Sequence, residues 1–161
     1  MSEWPEPVER VAAVLRDAGV EGRVEAFVTP TPTAQDAARA AGCELGQIVK
    51  TLVFHCDGQP AAVLVPGDRR ADAALVAQVL GCAKARVARA EEVELATGFA
   101  PGAVAPFPLP GVGRVLIERL LLAHDVVWVG AGSPTHLAVL APGDLIKLAR
   151  AEVADVVEPG T

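Results

Sequence analysis

Residues 48–55 (Ile-Val-Lys-Thr-Leu-Val-Phe-His) are dominated by β-branched and aromatic types, and a second apolar run, residues 61–65, follows across Asp57-Gly58. This pairing limits the fold more than any other feature. Asp-Gly accepts the positive φ angles of the tight turns that join antiparallel strands, so the two runs are predicted to form a hairpin. A hairpin near the centre of the chain excludes the strict βαβ alternation of a purely parallel sheet.

The flanking segments supply helices and further strands. Val8, Val11, Ala12, Leu15 and Ala18 recur at helical spacing behind Pro5 and Pro7, and Gly19 ends the pattern. Residues 24–28 alternate as a strand that Thr29-Pro30-Thr31-Pro32 stops, and Thr33 caps a short helix ending at Gly42. Pro66-Gly67-Asp68 leads into a helix carrying Ala71, Leu75, Val76, Val79 and Leu80, ended by Gly81, and a further helix is predicted over residues 90–96. Strand-like runs follow at 115–117, 126–129 and 137–140, then a last helix from near Pro142 to near Arg150 and an edge strand over 153–157. The expected fold class is α+β: a single domain over residues 1–161 with a mixed, mainly antiparallel, curved or barrel-like sheet and helices packed outside.

Residues 97–113 interrupt this pattern with Gly98, Pro101, Gly102, Pro106, Pro108, Pro110, Gly111 and Gly113. Phe99, Val104, Phe107, Leu109 and Val112 are interleaved, so an ordered loop is expected rather than a linker. Pro66-Gly67-Asp68 and Pro142-Gly143-Asp144 each follow an apolar run, and the echo is read as shared turn chemistry rather than duplication.

A chain of 161 residues with 52% apolar content has enough apolar surface for one core, which excludes disorder. Apolar runs break off far short of the roughly 20 residues a bilayer crossing needs. Met1-Ser2-Glu3-Trp4-Pro5-Glu6 has neither a basic nor an apolar leader segment, so a cytoplasmic location is expected. Cys43, Cys56 and Cys82 are odd in number and lack CxxC spacing, so they are expected as buried thiols with no disulfide. Fourteen basic against twenty acidic residues give a net charge of -6, so any nucleic acid must be gripped locally rather than by a global field.

Several chemistries are excluded. His55, His124 and His136 lie far apart, and His55 and Cys56 alternate to opposite faces of a strand, so no metal site is expected. Gly130-Ala131-Gly132 lacks the third glycine of a dinucleotide fingerprint, and Pro134 interrupts it. Ser133 with His136 suggests a nucleophile only weakly, because Ser-Pro after glycine is a common turn.

Lys50 stands out. Period-two alternation gives it Ile48, Leu52 and Phe54 as face-mates, and an ammonium inside such a strand costs several kcal/mol unless it is paired or placed at a cavity. The alternative is a lysine that snorkels past the strand's start. A second candidate is Gly102-Ala103-Val104-Ala105-Pro106, whose small residues let rigid backbone approach a ligand; a plain connecting loop is the alternative.

Taken together, Gly46-Gln47-Ile48-Val49-Lys50-Thr51-Leu52-Val53-Phe54, residues 97–106 and Pro142-Gly143-Asp144-Leu145 resemble the YbaK/ProX family, which includes the editing domain inserted in bacterial prolyl-tRNA synthetases. The resemblance implies a trans-editing hydrolase that removes the wrong amino acid from a tRNA, of tRNA(Pro) type, and so serves translation fidelity. It matches the family's lysine to Lys50, a neighbouring threonine to Thr51 and the GxxxP loop to residues 102–106. Lys50 and Gly102 are then the catalytic candidates, with Thr51, Ala103, Val104, Ala105 and Pro106 beside the substrate. Some relatives carry an aspartate near the C-terminal strand, where this chain has Gly132-Ser133-Pro134-Thr135-His136-Leu137. Gly132, Ser133 and His136 are therefore candidates for the amino-acid pocket, and the amino acid itself is not named by the sequence.

An aminoacyl ester is already activated, so a positioned water and oxyanion stabilisation suffice without a covalent nucleophile. The implied partners are the 3′ end of an aminoacylated tRNA and a synthetase that delivers it, with no membrane, DNA, metal or cofactor. A non-catalytic module of the same fold, binding aminoacyl-tRNA or a nucleotide, is the alternative. An unrelated hydrolase using Ser133 or a cysteine is a third.

Overall fold

The hairpin forms as expected in the computed structural model, which describes residues 4–159. Met1, Ser2 and Glu3, part of the stretch read as lacking a leader, lie outside the described residues. Strand β2 (Ile48–Cys56) pairs antiparallel with β3 (Gln59–Pro66), Lys50 opposite Val65, and both turn residues, Asp57 (φ 50°) and Gly58 (φ 84°), have positive φ. The other strands are β1 (Arg23–Ala26), β4 (Ala85–Val87), β5 (Arg114–Glu118), β6 (Val127–Ser133), β7 (His136–Leu140) and β8 (Ala151–Ala154). The helices are α1 (Glu6–Ala18), α2 (Ala34–Ala41), α3 (Ala73–Leu80), α4 (Ala90–Thr97) and α5 (Pro142–Ala149).

The strands run β1-β7-β6-β2-β3-β5-β8, with β4 attached to β2 off this path. The β1–β7, β6–β7, β2–β3 and β2–β4 pairs are antiparallel; β2–β6, β3–β5 and β5–β8 are parallel. The sheet is mixed, and it is open, with β1 and β8 as free ends rather than a closed barrel.

Alternation along the strands sends their apolar residues to opposite faces. On one face Leu64, Ile117, Val129 and Leu140 meet Val11 and Leu15 of α1 and Leu145 of α5. On the other, Phe54, Val63 and Val65 pack under α3 through Val76, while Ile48, Trp128 and Leu137 pack under α2 through Ala37 and Ala38. The loop over residues 97–113 is ordered because Phe99 and Phe107 are fully buried in the first cluster. Each contributes on the order of 1.5–3 kcal/mol through its buried ring.

Three expectations need correction. Cys56 and Cys82 are disulfide-bonded, with Cα atoms 5.8 Å apart, while Cys43 stays free. Gly81 stops α3 in the left-handed conformation and turns the chain back to the end of β2, a long-range meeting that cysteine spacing does not reveal. The edge strand lies over Ala151–Ala154 rather than residues 153–157, because α5 stops at Arg150 and pairing with β5 begins at once. The helix after β3 begins at Ala73, capped by Asp72, so Ala71 precedes it and bridges to Val157 instead; strand β2 itself is partly open, with Lys50, Thr51 and Leu52 half-exposed.

Candidate functional site

The half-exposed stretch of β2 follows from how its second edge is paired. Ile48 and Val49 lie beside Trp128 and Val129 of β6, and Phe54, His55 and Cys56 lie beside β4. Among the described residues no strand partners Lys50, Thr51 or Leu52 on that edge, so the sheet parts between β6 and β4. A cavity of about 400 Å³ sits there, touching all five residues from Ile48 to Leu52 together with Gly102, Ala103, Val104, Trp128, Gly130 and Ser133. Five consecutive strand residues can line one cavity only if it opens along the strand's edge, since their side chains alternate between faces.

Lys50 reaches from this edge to the turn after β3, where its Nζ donates to the Arg69 carbonyl at 2.6 Å. Burial, and secondarily the charge of Arg70, push its pKa below the usual lysine value, with Asp68 opposing. The amine is thus held in place with donor capacity left for a ligand. Beside it, Thr51 Oγ1 is buried without a hydrogen-bond partner. An orphaned hydroxyl of this kind costs about 1–3 kcal/mol until something accepts or donates to it.

The loop that faces Lys50 across the cavity is bent at Gly102, whose φ of +83° suits glycine, and tightened where Ala103 N–H donates to the Ala100 carbonyl at 3.0 Å. Only Gly102, Ala103 and Val104 of the GxxxP segment line the cavity. Ala105 is fully buried in the core, and Pro106 lines a different cavity of about 370 Å³ with Phe107, Leu109 and Arg150.

At the β6–β7 turn, Ser133 lines the cavity and His136 stands behind it. Ser133 Oγ and His136 Nδ1 share a hydrogen bond of 2.5 Å, and Thr135 N–H donates to the same Oγ at 3.1 Å. Trp4 packs edge-on to the imidazole at 5.4 Å, and burial lowers the histidine's pKa, favouring the neutral ring. Gly132 lies outside the cavity lining, where a side chain would run into the Pro7 carbonyl.

The sequence likeness can now be set beside this geometry. The model of the aminoacyl-tRNA editing domain matches residues 28–148. The chain belongs to that family. The editing-domain match contains β2, the GxxxP loop and the β6–β7 turn, and leaves out α1, which packs behind the sheet. The proline–tRNA ligase of Nitratidesulfovibrio vulgaris (strain DP4) is 38% identical over 113 residues, which is 67% of this chain but 20% of the ligase. The chain thus spans about a fifth of that ligase's length. YwhH of Bacillus subtilis (strain 168), an uncharacterized protein, is 31% identical over 134 residues, 83% of this chain and 85% of its own. A crystal structure described as a proposed trans-editing enzyme for prolyl-tRNA synthetase superposes with a TM-score of 0.90 at 34% identity, covering 98% of this chain and all of that one.

Arg69, Arg70, Arg86, Arg89 and Arg114 do not line this editing-domain cavity. Arg86 clamps Glu92 with two bonds of 2.8 Å and holds that carboxyl down to about 2. Arg89 pairs with Glu91, and Arg114 is bidentate on Glu152. Arg69 and Arg70 remain next to Lys50. Sequence reasoning missed Trp128, Leu137 and residues 31–34 as cavity walls. They come from three separate segments, and only the Pro-Thr-Pro-Thr break before α2 hinted at one of them.

Proposed function

We propose that this protein is a trans-editing hydrolase that deacylates mischarged aminoacyl-tRNA, with tRNA(Pro)-type substrates the first to test. The observation that carries the reading is the convergence of Lys50 and the Gly102-Ala103-Val104 backbone on one cavity, inside a family of aminoacyl-tRNA editing domains. About 400 Å³ falls in the range of small-ligand sites and suits a terminal aminoacyl-nucleoside better than a duplex.

In this mechanism the 3′ end of the aminoacylated tRNA enters single-stranded, so few phosphates need neutralising and a chain of net charge -6 can still bind it. The Lys50 ammonium, anchored on the Arg69 carbonyl, directs a remaining proton to a phosphate or the ester carbonyl oxygen. Backbone groups of residues 102–104 orient the ester and a water. The water oxygen bonds to the carbonyl carbon, the bond to the ribose oxygen breaks, and that oxygen takes up a proton, releasing free amino acid and tRNA. Thr51 and Ser133 supply hydroxyls at the wall. The reaction asks for no metal or cofactor. A synthetase that delivers the tRNA and a cytoplasmic location fit this role.

The test is release of amino acid from a panel of mischarged tRNAs. Wild type should deacylate at least one, and Lys50→Ala should be slower by about 10²–10³-fold, the loss typical of one stabilising donor. Binding without release by wild type would favour the non-catalytic module instead.

A further inference from the structure

Gly130-Ala131-Gly132 fails as a nucleotide fingerprint, and the mechanism above gives it no part, yet both glycines meet foreign backbone where a side chain would stand. A Cβ on Gly132, whose φ is +97°, would lie 2.8 Å from the Pro7 carbonyl oxygen of α1's first turn. A Cβ on Gly130 would lie 2.7 Å from the Val104 carbonyl oxygen and 3.6 Å from its carbon. Gly130 and Val104 both line the cavity.

We infer that Gly130 is a positioning residue: its missing side chain seats the Val104 carbonyl against β6 and so fixes the Gly102-Ala103-Val104 backbone relative to Lys50. This deepens the deacylase reading and rests on it. The loop is tied at both ends by buried Phe99 and Phe107 and beyond the cavity by buried Ala105, but among the described residues the one local backbone bond between these phenylalanines runs from Ala103 N–H to the Ala100 carbonyl. Its depth in the cavity is therefore set where Val104 meets β6, backbone on backbone, with no flexible side chain to absorb a change. Lys50 and Thr51 sit on β2, a different strand, so a shift of the loop alters the distance between the two walls.

A methyl at position 130 pushes the Val104 carbonyl away, because no Cβ tolerates an oxygen at 2.7 Å. Displacements of this order in an orienting group cost up to about 10²-fold in rate. Gly130→Ala is expected to lower kcat for mischarged tRNA by about 10–100-fold while KM stays within about threefold. Gly111→Ala is the matched control. Its Cβ would lie 2.6 Å from the Ala96 carbonyl oxygen, an equal insult, but Gly111 lines a different cavity. It should lose comparable thermal stability and keep its kcat.

If Gly130→Ala fails to fold, Val104→Gly decides. It frees the same backbone without crowding β6, and the proposal requires it to lower kcat with KM held. Wild-type kcat in the folded Gly130→Ala protein, or in Val104→Gly, overturns the inference. So does an equal kcat loss in Gly130→Ala and Gly111→Ala. A wild type inactive on every mischarged tRNA instead removes the deacylase reading, and this inference with it.

Discussion

Pro66-Gly67-Asp68 and Pro142-Gly143-Asp144 read alike in sequence and behave differently in the fold. After β7, Pro142 opens α5 directly, and a side chain on Gly143 would meet nothing within 4 Å. After β3, the chain does not enter its helix until Asp72 caps α3, and the turn between is crowded at Gly67 while Asp68 and Arg70 stay exposed. Gly67 N–H donates to the Ile48 carbonyl at 2.7 Å, and a Cβ there would lie 2.7 Å from the Leu45 carbonyl oxygen and 3.0 Å from Ala34 Cβ. Two residues on, the Arg69 carbonyl receives Lys50. Identical turn chemistry starts a helix in one place and seats a candidate catalytic lysine in the other; what packs against the turn decides which.

The largest effect that would break this contrast is at Gly67. Gly67→Ala crowds fixed backbone and should cost about 1–3 kcal/mol of stability, read by denaturant unfolding. Because the turn carries the Arg69 carbonyl, deacylation should fall as well. A Gly67→Ala protein with wild-type stability and activity would mean the turn is looser than its contacts indicate, and the Lys50 seat would not depend on it.

The alkaline side of the pH profile sharpens the same point. Burial and Arg70 set the Lys50 pKa below 10.5, so the ammonium is lost at a lower pH than from an ordinary lysine. Activity that needs the charge should decline, after subtraction of spontaneous ester hydrolysis, along a limb below pH 10.5. Lys50→Arg, slower but permanently charged, should lack the limb. Stability moves oppositely: the folded state binds fewer protons than the unfolded one between the two pKa values, so this residue's contribution rises with pH through that window. A limb that persists in Lys50→Arg would assign the titration to another group.

Much of this was legible from residue types. The β2–β3 hairpin was announced by Asp57-Gly58 and two β-branched runs, and the helix ends by Gly19, Gly42 and Gly81, all of which have positive φ. Lys50 was conspicuous because a charge in an apolar strand needs a reason. What stayed hidden depends on pairing across the chain. The three residues of β4 carry no pattern, yet with β6 they leave the gap on β2's edge that makes the cavity. The Cys56–Cys82 disulfide joins residues 26 apart, and Trp128 reaches the cavity only through its register with Ile48. Gly130 looked like a failed motif because its partner, the Val104 carbonyl, is a backbone atom that no side-chain pattern encodes.

The smallest effect belongs to the open junction. Gly143 lies in the first turn of α5, with no contact that a methyl would disturb and no positive φ to forbid one. Gly143→Ala removes conformational freedom mainly from the unfolded chain, so it should stabilise by about 0.4–1 kcal/mol, a rise in Tm of roughly 1–4 °C for a domain of this size. Deacylation should be unchanged, since neither Gly143 nor any other part of α5 lines the Lys50 cavity. Opposite signs for the same Gly→Ala change at positions 67 and 143 are what the packing around the two turns requires. Equal effects would mean that turn chemistry alone, and not the contact with residues 34 and 45, governs both.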